Sequence, residues 1–226
     1  MPSPAEPAGR VRSVNLGSRE PNPAKRVGVT GHHKRPVESA LLRAPGPKHG
    51  GLGSGLVGDF IGDTRSHGGD GQAVYAFARE ELDRWSARLD RPLADGAFGE
   101  NLTTEGLDVD AARVGDRWAV GDEVVLEVTG PRLPCATFAL RMGEPGWLRT
   151  FSEVGRTGAY LAIVTGGTVR PGDAVRVLST ADHGIDLPTT FRALLGDLDA
   201  ADLVLAAGIL PADEEEWLRD RLDRRT

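Results

Sequence analysis

The sequence predicts a mainly β domain with peripheral helices, followed by a small helical segment at its C-terminal end. Three observations carry this expectation. First, apolar residues tend to alternate over VGDRWAVGDEVVLEVT (114–129), GAYLAIVTGGTV (158–169) and RPGDAVRVL (170–178), each adjoined by a Gly-Gly, Gly-Asp or Pro-Gly-Asp turn. A sheet with one buried face demands that pattern. Second, only two stretches before residue 180 show helical spacing, FAREELDRWSARLD and EPGWLRTFSEVG. Third, from about residue 183 the pattern changes to three short helical pieces with glycine or proline between them.

Taken in order, residues 1–10 are rich in Pro, Ala and Glu and are expected to be disordered, and short β-branched runs begin at VRSVNLG. The stretch TGHHKRPVES places Lys34 and Arg35 just before a strand start. Residues 43–59 form a long glycine-rich loop whose G-x-G-x-G run lacks a following helix, a poor dinucleotide or phosphate-loop signature. The helix expected over 77–90 puts Leu82, Trp85 and Leu89 on one face to cover the sheet, and Glu80 can meet Arg84 one turn on. In the second helix Trp147, Leu148 and Phe151 recur at helical spacing between Pro145 and Gly155, and read best as core. Many short strands at such spacing suggest a barrel or a pair of packed sheets. The last helical piece has Asp213 to Glu216 early and Arg219, Arg221, Arg224 and Arg225 late, matching its dipole. A segment of roughly 45 residues is marginal alone, so 181–226 should pack on the 11–180 body or on a second subunit, as in a homodimer. Trimming it should leave the body soluble.

Composition bounds function. The net charge is −6, with 27 Lys and Arg against 33 Asp and Glu, which gives no reason to expect binding to duplex DNA or anionic lipid. A single cysteine cannot close an intramolecular disulfide, and it excludes an all-cysteine zinc site or a self-ligated iron–sulfur cluster. The start has proline and glutamate where a signal peptide needs an apolar run, and nothing approaches the ~18 apolar residues of a spanning helix. A cytoplasmic, reducing location is expected.

Cys135, in VTGPRLPCATF, follows a strand at a corner stiffened by Pro131 and Pro134, with Arg132 three places upstream. A thiolate there is a soft metal ligand and a good nucleophile, and a nearby guanidinium lowers its pKa. A free cysteine is equally at home as a small buried hydrophobe. In GDTRSHGGDGQAVYAF, glycines beside His67 let backbone approach a ligand closely, although an ordinary hairpin turn explains them as well. GAFGENLTTEGLDV offers Glu100, Asn101, Thr103 and Thr104 for a polar pocket wall, and turn chemistry would also select them. Lys34 and Arg35 can hold a phosphate or form a solvated edge. His32 and His33 are neighbours, which is the wrong spacing for chelation from a strand.

Together, KRPVES, GDTRSHGGDGQAVYAF, FGENLTTEGLDV and PRLPC resemble the ordered motif set of the MOSC domain, the family named after the C-terminal region of molybdenum cofactor sulfurase. The resemblance spans residues 11 to about 178, and DHGIDLPTTFRALL onward is similar to the three-helix extension of the YiiM-like branch, associated with resistance to 6-hydroxylaminopurine. It implies a β-barrel that binds a molybdopterin-type molybdenum cofactor, with Cys135 ligating the metal. It further implies Lys34, Arg35, Arg132 and His67 as candidates for the cofactor phosphate and pterin, and Glu100 with Asn101 for the wall beside the metal.

The implied activity is that of an oxidoreductase converting an N-hydroxylated substrate, R-NHOH, with two electrons and two protons to R-NH2 and water. Glu100 or His67 would deliver a proton. No flavin or nicotinamide fingerprint is visible, so an external reductase is expected. A cofactor or sulfur carrier with a persulfide on Cys135 is the second class. A cysteine hydrolase pairing Cys135 with His67 is a third, for which no orienting partner stands out.

Overall fold

The computed structural model describes residues 6–223. Twelve strands run in the order β1 (Gly9–Gly17), β2 (Glu20–Pro21), β3 (Val29–Thr30), β4 (Lys34–Val37), β5 (Ala40–Leu42), β6 (Val74–Ala78), β7 (Leu102–Glu105), β8 (Arg117–Val120), β9 (Val124–Pro131), β10 (Ala159–Thr165), β11 (Gly167–Val169) and β12 (Ala174–Ser179). Six helices accompany them: α1 (Arg79–Arg88), α2 (Ala136–Met142), α3 (Trp147–Val154), α4 (Leu187–Leu195), α5 (Leu198–Ala207) and α6 (Ala212–Asp223).

Seven strands close into a barrel in the order β1, β7, β6, β10, β9, β8, β12 and back to β1, while β4 pairs farther along β1. The choice between a barrel and packed sheets is thereby settled. Antiparallel pairing reverses strand direction, so a closed ring must contain an even number of such reversals. Seven pairings therefore require at least one parallel pair, and β6 with β7 supplies it. A parallel pair needs a crossover, and α1 lies on that connection.

Strand β6 shows how the period of two builds two cores at once. Val74, Ala76 and Ala78 enter the barrel interior with Val14, Leu102, Trp118, Leu126 and Leu161. Tyr75 and Phe77 point the other way, into an aromatic layer with Trp85, Phe98, Phe138, Trp147 and Phe151 under α1, α2 and α3. Helix α1 is shorter than the 77–90 expected because Phe77 and Ala78 stay in the sheet. Its expected Glu80–Arg84 pair is also replaced. Glu80 accepts the Gly106 N–H at 2.7 Å, and Arg84 reaches Glu81. In α3, Trp147 and Phe151 are buried one turn apart as expected, whereas Leu148 is turned outward. Helix α2 was not anticipated, since its seven residues follow a proline-rich run that reads as loop.

At the N-terminal end, residues 1–5 lie outside the described residues. The disorder expected through residue 10 is corrected, because Gly9 and Arg10 pair with Val175 and Ala174 of β12. The three C-terminal helices form as expected. Asp186 and Asp197 cap α4 and α5 by accepting the N–H groups of Thr189 and Ala200, and Gly196 and Gly208 end them in left-handed conformation. Arg224 and Arg225 lie outside the described residues. The bundle has a small core of its own but is not independent of the body. Leu187 belongs to the barrel core, its N–H donates to the Ala112 carbonyl at 3.0 Å, and the Arg113 guanidinium donates to the Ala181 carbonyl at 2.7 Å. Among the described residues, no helix is long and apolar enough to cross a membrane.

Candidate functional site

A cavity opens at the barrel rim, between the loop around 22–34, the segments 59–63 and 67–72, and the corner 132–137. Close backbone packing makes its floor. A Cβ on Gly17 would lie 1.9 Å from the Gly31 carbonyl oxygen, and one on Gly31 would lie 1.7 Å from that of Phe60, so only glycine admits these approaches. Of the residues singled out in the sequence, Lys34, His67, Asn101, Arg132 and Cys135 line this cavity together.

Cys135 stands where β9 has ended at Pro131 and α2 is about to begin, with extended backbone at φ −133°. The position leaves it half-buried. Burial pushes the thiol up, but a hydrogen bond from His67, the Arg132 guanidinium and the Phe138 amide outweigh it, and the net result is a fall from 9.0 to about 6. The group is a thiolate at neutral pH, able to act as nucleophile or soft metal ligand.

Arg132 is buried, and among the described residues no carboxylate lies within ion-pair distance of it. Its guanidinium donates to the Phe98 carbonyl and to Nε2 of His32, and lies 4.0 Å from the Phe138 ring centroid and 5.0 Å from that of Tyr75. None of these partners carries a negative charge. Its anionic neighbour is the Cys135 thiolate, and a buried cation that has no carboxylate partner, on a cavity wall, can also receive an anionic group of a ligand.

Lys34 is different. Its Nζ lies 2.6 Å from both carboxylate oxygens of Asp59, which also accepts from Ser54, Asn101 and the Gly17 N–H. Its charge is thus already matched inside the protein. Asn101 holds the start of the parallel β6–β7 pair, accepting the Tyr75 N–H at 3.2 Å on its side chain while its own N–H donates to the Tyr75 carbonyl at 2.8 Å.

Four expected residues are not brought into the cavity. Arg35 is 70% exposed and faces Glu20 at 3.7 Å. It follows Lys34 on β4, and neighbours on a strand face opposite ways, so the two cannot share one wall. In the turn between β3 and β4, His32 lines the cavity and His33 faces Glu20. Glu100 is fully buried behind the wall. It accepts the Gly96 and Phe98 N–H groups and the Thr103 hydroxyl, and burial pushes its carboxyl up to about 7 against those bonds. Its carboxylate accepts the Phe98 amide, beside the carbonyl that receives Arg132, and is not part of the cavity lining. Thr103 and Thr104 are buried in β7 and also stay out of the lining. Asp59 and the ring pair Tyr75 and Tyr160 were not singled out; only the length of the glycine-rich loop ending at Asp59 hinted at the first. Among the described residues, no group of three His, Cys, Asp or Glu could hold a metal ion.

Comparison with known proteins places this geometry in a lineage. Residues 63–176 match the family model of the MOSC domain. The chain is 32% identical over 212 residues to the uncharacterized protein YflK of Bacillus subtilis, covering 92% of this chain and 90% of that one. It is 32% identical over 129 residues to a protein of Gibberella moniliformis named Reductase, covering 55% of this chain and 23% of that one. Its fold matches the crystal structure of YiiM from Geobacillus stearothermophilus with a TM-score of 0.72 at 22% identity, over 95% of this chain and 99% of that one. A family model that covers half of the sequence, together with a relative matched along nearly its whole length, shows that the chain belongs to the MOSC domain family.

Proposed function

We propose that the cavity binds a molybdopterin-type molybdenum cofactor through Cys135, and that the chain reduces N-hydroxylated compounds to amines with electrons from an external reductase. The observation that carries this reading is a thiol lowered to about 6 beside a buried guanidinium that has no carboxylate partner. The donor set fits the group. One thiolate would ligate a metal that brings its other ligands with it, and Arg132 would receive an anionic part of the same cofactor. When bound, the cofactor would supply a two-electron centre able to accept oxygen from the substrate. The chain's own contribution is to present Cys135, to compensate anionic charge with Arg132, and to place His67 where it can move a proton at the reacting nitrogen. Membership in the family and the partial match to a protein named Reductase support the reading.

The test is molybdenum and pterin content of the chain purified from a host that makes the cofactor, beside Cys135→Ala and Arg132→Met, followed by turnover of an N-hydroxylated amine with dithionite-reduced viologen. Near-stoichiometric metal lost in Cys135→Ala, with amine formed by the parent, is expected. A folded parent without metal or pterin would overturn the reading. The half-buried, acidic thiol also favours a carrier role through a cysteine persulfide. Cofactor retention without turnover would select that role.

A further inference from the structure

We propose that the C-terminal helices complete a second compartment of the same site, and that this compartment holds the planar, apolar body of the substrate. The inference rests on the reading just given. A second cavity adjoins the first and shares His67, Gln72 and Tyr160 with it. The corner between Pro131 and Cys135 is the partition. Arg132 and Cys135 line the first cavity, while Pro131 and Leu133 line the second. The far wall comes from the bundle, with Leu194 of α4 and Trp217 of α6.

The two compartments differ in charge. The first holds the buried cation Arg132. The second has no lysine or arginine in its lining, and the Arg221 guanidinium lies over the Trp217 ring at 5.2 Å from its centroid. An anionic cofactor is therefore directed to the first, and a neutral ring to the second. The apolar surface is suited to such a ring. Trp217 is 42% exposed, whereas Trp85, Trp118 and Trp147 are at most 2% exposed, and Leu133 is also left open at 38%. An indole, a phenol and aliphatic side chains around a cleft favour a flat aromatic guest. His67 and Tyr160 stand on the shared wall, so a ring in the second compartment would direct its nitrogen substituent toward Cys135.

The burial of the other three tryptophans makes Trp217 a reporter. Aniline, the amine product of phenylhydroxylamine, is titrated into the full chain while tryptophan emission is followed. Saturable quenching is expected, with affinity weakened more than about tenfold in Leu133→Asp, a substitution of a half-open side chain beside the partition. Trp217→Leu should abolish aniline binding measured by calorimetry. Both variants should retain the parent's molybdenum content. Unchanged emission on adding aniline, or equal affinity in Leu133→Asp, would overturn the compartment while leaving the cofactor reading standing. Quenching at Trp217 in a parent devoid of molybdenum would support the compartment and defeat the cofactor reading.

Discussion

Nη2 of Arg132 stands 2.8 Å from Nε2 of His32. A guanidinium only donates, so the ring accepts at Nε2 and its proton resides on Nδ1, an atom buried without a hydrogen-bond partner among the described residues. Burial first, and then the charges of Arg132, Lys34, Arg141 and His67, hold His32 well below the usual histidine range. The imidazole is therefore neutral, and it orients Arg132 without cancelling its charge. That uncancelled charge acts on Cys135.

The first prediction concerns the thiol. Alkylation of the cofactor-free chain by iodoacetamide should show a midpoint at about 6, below the ordinary 9.0. Arg132→Met should move the midpoint up, and below it each unit regained lowers the thiolate fraction about tenfold. Glu100→Ala should move it in the same direction, because Phe98, whose carbonyl receives Arg132, loses the bond at its amide. By linkage, a depressed thiol stabilises the fold fully above its unfolded value, and this contribution is lost as pH falls through about 6. A midpoint unmoved by Arg132→Met would show that the guanidinium does not govern the thiol.

The second prediction separates the basic neighbours on β4. Asp59→Ala leaves Lys34 as a buried, unpaired cation and should cost about 3–5 kcal/mol in urea unfolding. Arg35→Ala should stay within about 0.5 kcal/mol and leave molybdenum retention unchanged, since its side chain is in solvent. Loss of cofactor in Arg35→Ala would return that residue to the site.

How far the sequence could be read follows from such pairs. The strands at 114–129 and 158–178 were legible because each has a turn residue at its end and one buried face. The ring closure was not, since β1 meets β12 through residues 9 and 10, in a stretch whose composition reads as disordered. At the site, Cys135, Arg132, His67 and Asn101 were found through their motif strings. Glu100 and Arg35 belong to the same strings but face away, because side-chain direction within a loop or strand is set by neighbours one residue apart. Asp59 was missed because nothing in a glycine-rich loop announces that its last carboxylate will collect Lys34, Ser54 and Asn101. The second compartment was out of reach, as it needs α6 beside the corner at Leu133.

The third prediction concerns the bundle. Leu187 is fully buried in the barrel core, so Leu187→Ala should cost about 2–5 kcal/mol. Trimming the chain after residue 180 removes that side chain along with the Arg113 and Ala112 contacts, and should yield an unstable body instead of the soluble one expected from composition. A truncated chain that unfolded at the parent's urea midpoint would show the bundle to be dispensable.

The fourth prediction concerns Asp110. Burial raises its carboxyl from 3.8 to about 6, against hydrogen bonds from the Gly158 and Thr157 amides and the charge of Arg156, and the neighbouring Glu81 adds to the rise. A folded carboxyl that keeps its proton while the unfolded one has lost it makes stability fall as pH rises between those values. Arg156 also pairs with Glu81 and Asp108. Arg156→Met should therefore push Asp110 higher and extend the loss of stability to higher pH, so that the variant's deficit in Tm is larger near about pH 8 than near about pH 4. Glu100, raised to about 7, tilts the parent's own curve in the same direction. It is not among the groups that Arg156 contacts, so it cancels in the difference between parent and variant. A deficit that is equal at both pH values would mean that Arg156 acts through packing, and that the buried carboxyl does not depend on its charge.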